Sequence, residues 1–228
     1  MRVRITQAQK TRFTRKLLAW WARAARDLPW RQTRDPYRVL VSEFMLQQTQ
    51  VSRVEQYYPR FLERFPDLAT LARARPRAVR EAWDGLGYYA RARNLHDLAR
   101  EVTRRHDGTL PAKPDELVKL PGIGPYTAGA VATFAYEKPV PAVDTNVARV
   151  IRRVFLGINH APRTTPRSLW DLAHALVPKN GKRAWRFNQA IMELGALVCV
   201  ARKPHCPECP VRPICKTGKT LGHARLTR

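Results

Sequence analysis

Acidic residues are scarce in this chain of 228 residues: 18 Asp and Glu stand against 42 Lys and Arg, which gives a formal net charge of +24. The first acidic residue is Asp27. A surplus of this size indicates a polyanionic partner, and nucleic acid is the plainest one, bound through phosphate neutralisation and counterion release. Ribosomal and histone-like proteins share such a charge, but they rarely carry 44% hydrophobic residues and six tryptophans.

Long apolar runs, a secretory signal, repeats, low-complexity segments and strand-like alternation are also missing. We therefore expect no membrane span and a cytoplasmic, nucleoid-associated protein of prokaryotic type. The Arg-rich start imitates an organellar transit peptide. Its apolar residues nevertheless recur at near-helical spacing and predict a basic amphipathic helix, with Phe13, Leu17, Trp20 and Trp21 on its apolar face.

Proline and glycine separate stretches of helical periodicity, so the chain is predicted to be all-α, with short loops between its helices. Its length allows one large domain or two small intertwined ones, with a sizeable core. Candidate helices lie near 8–25, 36–48, 51–64, 76–83, 90–105, 114–118, 125–136, 145–156, 165–176 and 183–198.

Cysteine is confined to one loop near the end, with the pattern Cys199-x6-Cys206-x2-Cys209-x5-Cys215. Disulfides are disfavoured, because no secretory signal is seen and the four sulfurs crowd together. Zinc binds four thiolates, but its modules favour two Cys-x2-Cys pairs with a longer spacer, and one such pair is present here. Iron–sulfur clusters accept tighter and less regular loops, so the spacing favours a [4Fe–4S] cluster and leaves zinc open.

The segment Leu120–Ala128 joins a Gly-rich turn to the start of a helix. Gly122 and Gly124 let backbone N–H groups approach a phosphate, and the helix N-terminus adds a favourable dipole. A helix-hairpin-helix binds a DNA backbone in this way without reading its sequence. An ordinary helix–helix turn uses the same residues. Beside a charge of +24, phosphate binding is favoured.

Two carboxyl residues stand in positions suited to catalysis. Asp144 stands where an N-cap belongs, ahead of an amphipathic helix, and capping alone explains it. A helix N-terminus also keeps a carboxylate ionised, so that it can stabilise a neighbouring cation. Glu43 has nearly all apolar neighbours, and a carboxyl buried in such surroundings can act as a general acid near neutrality. The alternative places Glu43 on the polar edge of a surface helix.

Two further segments offer groups for DNA. Gln47–Gln50 supplies amides and a hydroxyl suited to base edges, or is an ordinary polar helix end. Gly85–Arg93 places two adjacent tyrosines on a turn ahead of Arg91 and Arg93. An exposed aromatic there can wedge between bases while the arginines hold phosphates, whereas buried core tyrosines are the alternative.

Taken in order, the hairpin, the Asp144 segment and the cysteine loop resemble the helix-hairpin-helix DNA glycosylases of the endonuclease III superfamily. The resemblance covers roughly residues 28–215. It implies an all-α, bilobal helix-hairpin-helix DNA glycosylase fold with a C-terminal [4Fe–4S] cluster loop. The expected ligands of the cluster are Cys199, Cys206, Cys209 and Cys215.

The same resemblance implies two lobes. A six-helix bundle is expected over residues 30–140, with the helix-hairpin-helix at about 114–136. Residues 1–29 and 141–228 are expected to form the cluster-bearing lobe. DNA would lie across the cleft between the two lobes.

Four segments are similar to the MutY-type adenine DNA glycosylases, which remove undamaged adenine mispaired with 8-oxoguanine. They are Leu28–Arg31, Ser42–Val51, Gly85–Leu95 and Phe187–Ala190. The similarity implies that the partner is double-stranded DNA containing a mismatch or 8-oxoguanine, and a monomer is expected.

The similarity also assigns roles to single residues. Glu43 would protonate the flipped adenine, and Asp144 would stabilise the oxocarbenium-like sugar. Tyr126 and Asn146 would place these two groups. The residues expected to contact the base or the DNA are Trp30, Arg31, Leu46, Gln48, Thr49, Tyr88, Gly122, Gly124 and Thr127.

The residue at position 126 bears on the type of reaction. Bifunctional relatives carry a lysine there, whose amine attacks the sugar as a Schiff-base nucleophile. The phenol of Tyr126 cannot form that imine. We therefore expect a monofunctional glycosylase that leaves an abasic site, with weak nicking at most from Lys119 or Lys138.

Two departures from the MutY-type pattern leave other hypotheses open. Little sequence follows Cys215, whereas typical members add a domain that helps to recognise 8-oxoguanine, and Asp144-Thr145-Asn146 replaces Asp-Gly-Asn. This short form also resembles thymine or uracil glycosylases that act on T:G and U:G mismatches. A catalytically silent DNA-binding module is a further hypothesis, but such a protein needs neither catalytic carboxyl.

Overall fold

The regular secondary structure of the described residues consists of helices joined by loops. The structure is a computed structural model, and it describes residues 5–157 and 166–218. Within these ranges no strand occurs, which confirms the predicted all-α class, and no helix is long and apolar enough to cross a membrane. The described α-helices are α1 (Gln7–Ala24), α2 (Pro36–Leu46), α3 (Val51–Arg64), α4 (Leu68–Arg73), α5 (Pro76–Ala82), α6 (Ala90–Arg105), α7 (Pro114–Leu117), α8 (Pro125–Phe134), α9 (Thr145–Ile151), α10 (Pro166–Leu176) and α11 (Gly181–Leu197).

The chain divides into two compact units. The central unit consists of residues 27–138 and contains α2 to α8. The terminal unit consists of the described residues before 27 and after 138, and it contains α1 and α9 to α11. The basic tail that follows residue 218 in the sequence lies outside the described residues.

Helix α2 is the buried helix of the central unit. Five of its apolar residues are at most 2% exposed, because the helix is apolar on nearly every side. Asp35 caps its N-terminus by accepting a hydrogen bond of 2.9 Å from the Arg38 backbone N–H, and Pro36 occupies the first turn. Helices α3, α6 and α8 pack around it. The buried apolar residues of α2 include Val39, Leu40, Val41, Phe44 and Met45.

Arg91 of α6 closes the C-terminal end of α2, which stops at Leu46 rather than at residue 48 as predicted. Helix ends leave carbonyl groups without partners. The Arg91 guanidinium is buried and satisfies several of these groups. The prediction that Arg91 holds a DNA phosphate is therefore wrong. It donates hydrogen bonds of 2.6–3.2 Å to the backbone carbonyls of Phe44, Met45, Gln47, Leu86 and Gly87.

Two other segments differ from the sequence prediction. Helix α4 was not predicted, because its single short stretch shows no clear periodicity; Asp67 caps it by accepting 2.7 Å from the Thr70 N–H. The helix predicted over 145–156 is α-helical only to Ile151, and Arg152–Leu156 forms a π-helical turn. Such wide turns often occur where a helix serves a neighbouring site.

The core of the terminal unit combines α1, α9, α10 and α11. Phe13 packs edge-to-face against Phe155 and Phe187, with ring centroids 5.1 Å and 6.1 Å apart. Leu17 and Trp21 of α1 are buried in the same core, which confirms the predicted amphipathic helix near the start of the chain.

The predicted hairpin consists of α7, a Gly-rich turn and α8. Gly122 in this turn has a φ of +75°, a left-handed conformation that favours glycine. A Cβ at this position would lie 2.7 Å from the Cβ of Asn94 and 3.0 Å from Cε1 of Phe44. The turn therefore packs directly against α6 and α2, and only glycine allows so close an approach.

Candidate active site

Glu43 lies in the interior of the central unit, at 4% exposure on α2. The alternative position on the edge of a surface helix is therefore wrong. The Tyr126 phenol donates a hydrogen bond of 2.7 Å to Oε2 of Glu43. Tyr126 is the second residue of α8, whose following residues Thr127–Ala132 are small and buried and let this helix pack closely on α2. A buried carboxyl thus has a fixed partner, as burial of a polar group requires.

Gln48 and Tyr88 lie on two exposed turns of the central unit that Arg91 ties together. Gln48 has a φ of 57° and Tyr88 a φ of 47°, so both adopt a left-handed conformation that is uncommon for such residues. Strained residues of this kind concentrate at functional sites. Tyr88 is 62% exposed, and its ring centroid lies 5.5 Å from the Arg91 guanidinium carbon. The pair has the exposure that a wedge between bases needs.

The other residues predicted to contact DNA differ in exposure. Trp30 is 7% exposed and packs edge-to-face on Tyr58, with centroids 5.6 Å apart, while Thr127 is 3% exposed within α8. Both side chains are thus buried in this structure, and their contact with the base or the DNA stays a prediction. Partly or fully exposed are Arg31, Leu46, Thr49, Gly122 and Gly124.

Asp144 caps α9 in the terminal unit, as predicted. One carboxylate oxygen accepts 2.7 Å from the Val147 backbone N–H, and the other accepts 2.9 Å from Nδ2 of Asn146. Burial raises the pKa of Asp144, and it is opposed by these hydrogen bonds and by the charge of Arg149. The carboxyl is therefore held by several donors in a setting that withdraws it from water.

Arg149 connects this carboxyl to the cysteine loop, a role that the sequence prediction missed. It donates hydrogen bonds of 2.7 Å to Oδ1 of Asn146 and to the carbonyls of Gly195 and Cys199. Because Oδ1 of Asn146 is engaged in this way, its Nδ2 is directed to Asp144. A Cβ on Gly195 would lie 2.6 Å from the Cβ of Asn146, so glycine permits this contact. The signal was available, since Arg149 follows Asn146 by one helical turn.

Arg153, in the π-helical turn, holds both ends of the cysteine loop. Its guanidinium donates 2.7 Å to the carbonyl of Val200 and 2.9 Å to that of Ala201. Its own carbonyl accepts 2.9 Å from Oγ1 of Thr217. The side chain is 5% exposed, so these bonds satisfy a buried charge while they close the loop.

The four cysteines carry free thiols and line one cavity of the terminal unit. Burial first, and to a smaller extent the neighbouring sulfurs of Cys199, Cys215 and Cys206, raise the pKa of the Cys209 thiol to about 11. Within residues 5–157 and 166–218, no three His, Cys, Asp or Glu side chains converge as a single metal ion requires. The four thiols that line this cavity are a donor set suited to a metal group held by thiolates.

The substitution Asp144→Asn is expected to change the pH dependence of stability with a defined sign. A raised pKa means that the folded state favours the protonated carboxyl. This stabilisation is present at low pH and is lost as the pH rises through the pKa of the folded carboxyl. Asparagine keeps the capping function. The free energy of unfolding of the native protein, minus that of the variant, should therefore fall from acid to neutral pH.

Urea unfolding at a series of pH values measures this difference. If it grows as the pH rises, the hydrogen bonds outweigh burial at Asp144, and the sign given above is wrong.

Comparison with known proteins agrees with the geometry. Residues 41–175 match the family described as HhH-GPD superfamily base excision DNA repair protein. The chain is 43% identical to the adenine DNA glycosylase of Rattus norvegicus over 230 residues, which cover 96% of this chain and 44% of that protein. It is 49% identical to the adenine DNA glycosylase of Mycolicibacterium smegmatis over 197 residues, 86% of this chain and 66% of that protein. The chain thus spans less than two thirds of the length of either relative.

A solved structure of a thermostable thymine-DNA glycosylase has the same fold. It superposes with a TM-score of 0.86 at 32% identity, over 92% of this chain and 97% of that one. The family match extends over more than half of the sequence and includes Glu43, the hairpin and Asp144, which confirms the resemblance seen in the motifs. The chain belongs to the HhH-GPD superfamily of base excision DNA repair proteins.

Proposed function

We propose that this protein is a monofunctional DNA glycosylase that hydrolyses the N-glycosidic bond of adenine mispaired with 8-oxoguanine or guanine. The buried pair of Glu43 and Tyr126 carries the proposal, because it provides a positioned acid at 2.7 Å from its partner. The identity of 43–49% to adenine DNA glycosylases, over 86–96% of the chain, supports adenine as the base.

Glu43 acts as the general acid. Adenine leaves poorly as an anion, so a ring nitrogen must gain a proton while the bond to the sugar breaks. Extrusion of the base from the stack costs about a few kcal/mol and brings that nitrogen within reach of a protein side chain. The hydrogen bond from Tyr126 fixes the orientation of the Glu43 carboxyl. General acid catalysis of this kind contributes on the order of 10²–10⁴-fold.

Asp144 stabilises the positive charge that develops on the sugar. As the glycosidic bond breaks, its electron pair leaves with the protonated adenine and the sugar becomes oxocarbenium-like. Hydrogen bonds from Val147 and Asn146, together with the positive charge of Arg149, oppose the effect of burial and favour the carboxylate form. Water then adds its oxygen to the sugar and gives its proton to Glu43, which is ready for another cycle. The products are adenine and an abasic site.

The product is an essentially unbroken strand, with weak nicking at most from Lys119 or Lys138. Tyr126 occupies the position at which bifunctional relatives carry a lysine, and a phenol cannot form an imine. The proposal therefore assigns strand cleavage to a later enzyme.

Double-stranded DNA is the proposed partner of a monomeric protein. The net charge of +24 supports non-specific binding that weakens as salt rises. Gly122 and Gly124 are exposed residues, and a Gly-rich turn of this kind suits a phosphate. Tyr88 and Gln48 are exposed on two turns that Arg91 ties together. We assign both side chains to the space that the extruded base leaves in the DNA helix.

A [4Fe–4S] cluster is the proposed cofactor, and it is assigned a structural and electrostatic role. The thiols line one cavity and Arg153 closes their loop, which supports a bound group at this place. The exposed Arg202, Lys203 and Arg212 lie within or beside that loop and suit phosphate contacts. When bound, the cluster would fix the loop and keep these cations in place. Its ligands would be Cys199, Cys206, Cys209 and Cys215.

Purified protein is expected to contain iron and acid-labile sulfide in equal amounts, and the substitution Cys209→Ser should deplete both, because a cluster loses stability with one ligand. Metal analysis and sulfide determination measure them. Stoichiometric zinc without sulfide would overturn the cluster and restore the four-thiolate zinc site.

Removal of thymine or uracil opposite guanine is the second candidate function. It is favoured by the superposition on a thymine-DNA glycosylase, of which this chain covers 97% with a TM-score of 0.86. The reaction would use the same two carboxyls, and only the base pocket would differ.

Single-turnover excision from duplexes containing A:8-oxoguanine, A:G, T:G or U:G separates these functions. We expect strand cleavage at adenine alone, and only after alkali, because hydrolysis leaves an intact backbone. Cleavage at T:G or U:G would support the second candidate, and nicking at adenine without alkali would contradict monofunctional chemistry. As control, Asp144→Asn should bind the A:8-oxoguanine duplex without releasing the base, whereas a silent binding module would be unaffected throughout.

A further inference from the structure

A second cavity lies in the central unit, between α5 and α6, and the proposed reaction does not use it. Its volume is about 440 Å³. This falls within the range of small-molecule sites, roughly 300–1,000 Å³. The cavity is large enough for one nucleotide unit.

Arginines without carboxylate partners surround this cavity. Arg80, Arg93 and Arg100 line it, and Asp97 is the one carboxylate among its lining residues, all of which are described. Arg100 donates 3.3 Å to the carbonyl of Ala72. Arg93 makes no side-chain hydrogen bond or ion pair within the part of the chain that the structure describes.

Other arginines of the same two helices do find acidic partners. Arg77 of α5 lies 2.9 Å from Glu81, and Arg104 of α6 lies 2.6 Å from Glu101. Some arginines of these two helices therefore form ion pairs, whereas the arginines that line the cavity form none with the described residues. An excess of guanidinium groups around a concave site favours an anion, and phosphate suits their planar donor geometry.

His96 gives the cavity a buried polar group. It is 3% exposed, and its Nε2 meets the geometry of a hydrogen bond with no described residue. Burial lowers the pKa of His96, and the backbone at Ala74 and Ala72 opposes this through hydrogen bonding to the ring. Unpartnered buried polar atoms are uncommon and call for a physical explanation. A ligand that enters the cavity and presents hydrogen-bonding oxygens to His96 provides this explanation.

Tyr89 forms a wall of the cavity and connects it to the exposed Tyr88. The Tyr89 hydroxyl bonds to the Asp84 carboxylate, and the Arg80 guanidinium lies 5.0 Å above the Tyr89 ring. The Tyr89 side chain is thus held in place by Asp84 and by Arg80. Tyr88, the next residue in the chain, is 62% exposed and is assigned to the DNA helix above. A strand contacted at Tyr88 is therefore close to the cavity.

We propose that this cavity binds a phosphate group of a nucleic-acid strand outside the mismatched base pair. The three guanidinium groups bind its oxygens, and His96 completes the site. Such a contact anchors the protein while it scans undamaged DNA, and it does not depend on which base is later removed. A free nucleotide carries the same phosphate chemistry and is the other source to test.

Arg93→Gln and Arg80→Gln test the proposal through the salt dependence of binding to undamaged duplex. The magnitude of the slope of log binding constant against log salt concentration should fall by about one for each lost phosphate contact, and by about two in the double variant. Arg60→Gln is the matched control: it removes the same charge from an exposed position on α3 that is not among the residues lining the cavity. It should leave the slope unchanged. Equal slopes for all variants would overturn the proposal.

Nuclear magnetic resonance of the full chain separates the two sources. Duplex should shift the signals of His96 and Arg93, and Arg93→Gln should abolish the shift at His96. If inorganic pyrophosphate shifts these signals and duplex does not, the nucleic-acid assignment is overturned in favour of a free nucleotide. Both readouts use undamaged duplex or pyrophosphate and no base release, so a negative result here leaves the proposed base excision, which single-turnover excision measures separately, standing.

Discussion

A carboxyl group removed from water requires a partner, and the hydrogen bond from Tyr126 to Glu43 meets that requirement in the central unit. The bond needs α2 and α8 in close contact, which the small residues of α8 permit. Since α8 begins at the hairpin turn, the same packing fixes the turn. Gly122 lies against Phe44, the residue after Glu43. The turn proposed to bind phosphate and the carboxyl proposed as the catalytic acid are therefore parts of one packed arrangement.

Arginine side chains hold the backbone in place at several other positions in the two units. Arg91 closes the end of α2, Arg153 closes the cysteine loop, and Arg149 holds the amide that faces Asp144. Each binds backbone carbonyls, for which a guanidinium with five donors and no acceptor is well suited. Part of the positive charge of this chain thus serves the fold. Among the described residues, the arginines that line the cavity between α5 and α6 have no carboxylate partner, and only Arg100 bonds to a carbonyl, which makes them the better candidates for phosphate.

The sequence was sufficient where a local rule determines the structure. Asp144 as an N-cap, the glycines of the hairpin and the apolar face of α1 follow from capping, backbone freedom and periodicity, and the structure confirms all three. The order of these motifs was also sufficient for the family. Prediction from the sequence failed where a residue distant in the chain determines the local structure. The end of α2 depends on Arg91, some forty residues later in the chain.

Burial was the other quantity that local sequence left open. Glu43 had two equal interpretations, and its position became clear only from the packing of α8. Trp30 and Thr127 were assigned to DNA by their place in motifs, yet they lie in the interior. The roles of Arg149 and Arg153 emerge only when α9, α11 and the cysteine loop are seen together. Motifs identify which residues matter, whereas packing decides what each of them contacts.

The general acid assigned to Glu43 can be tested most directly by single-turnover excision of adenine opposite 8-oxoguanine with Glu43→Gln. Glutamine fills the same space and cannot donate the proton of a carboxylic acid. The variant should bind the duplex as the native protein does and lose at least about 100-fold in excision rate. Tyr126→Phe should lose roughly tenfold, the equivalent of one hydrogen bond. A Glu43→Gln protein that excises adenine at the native rate would show that the proton comes from another group.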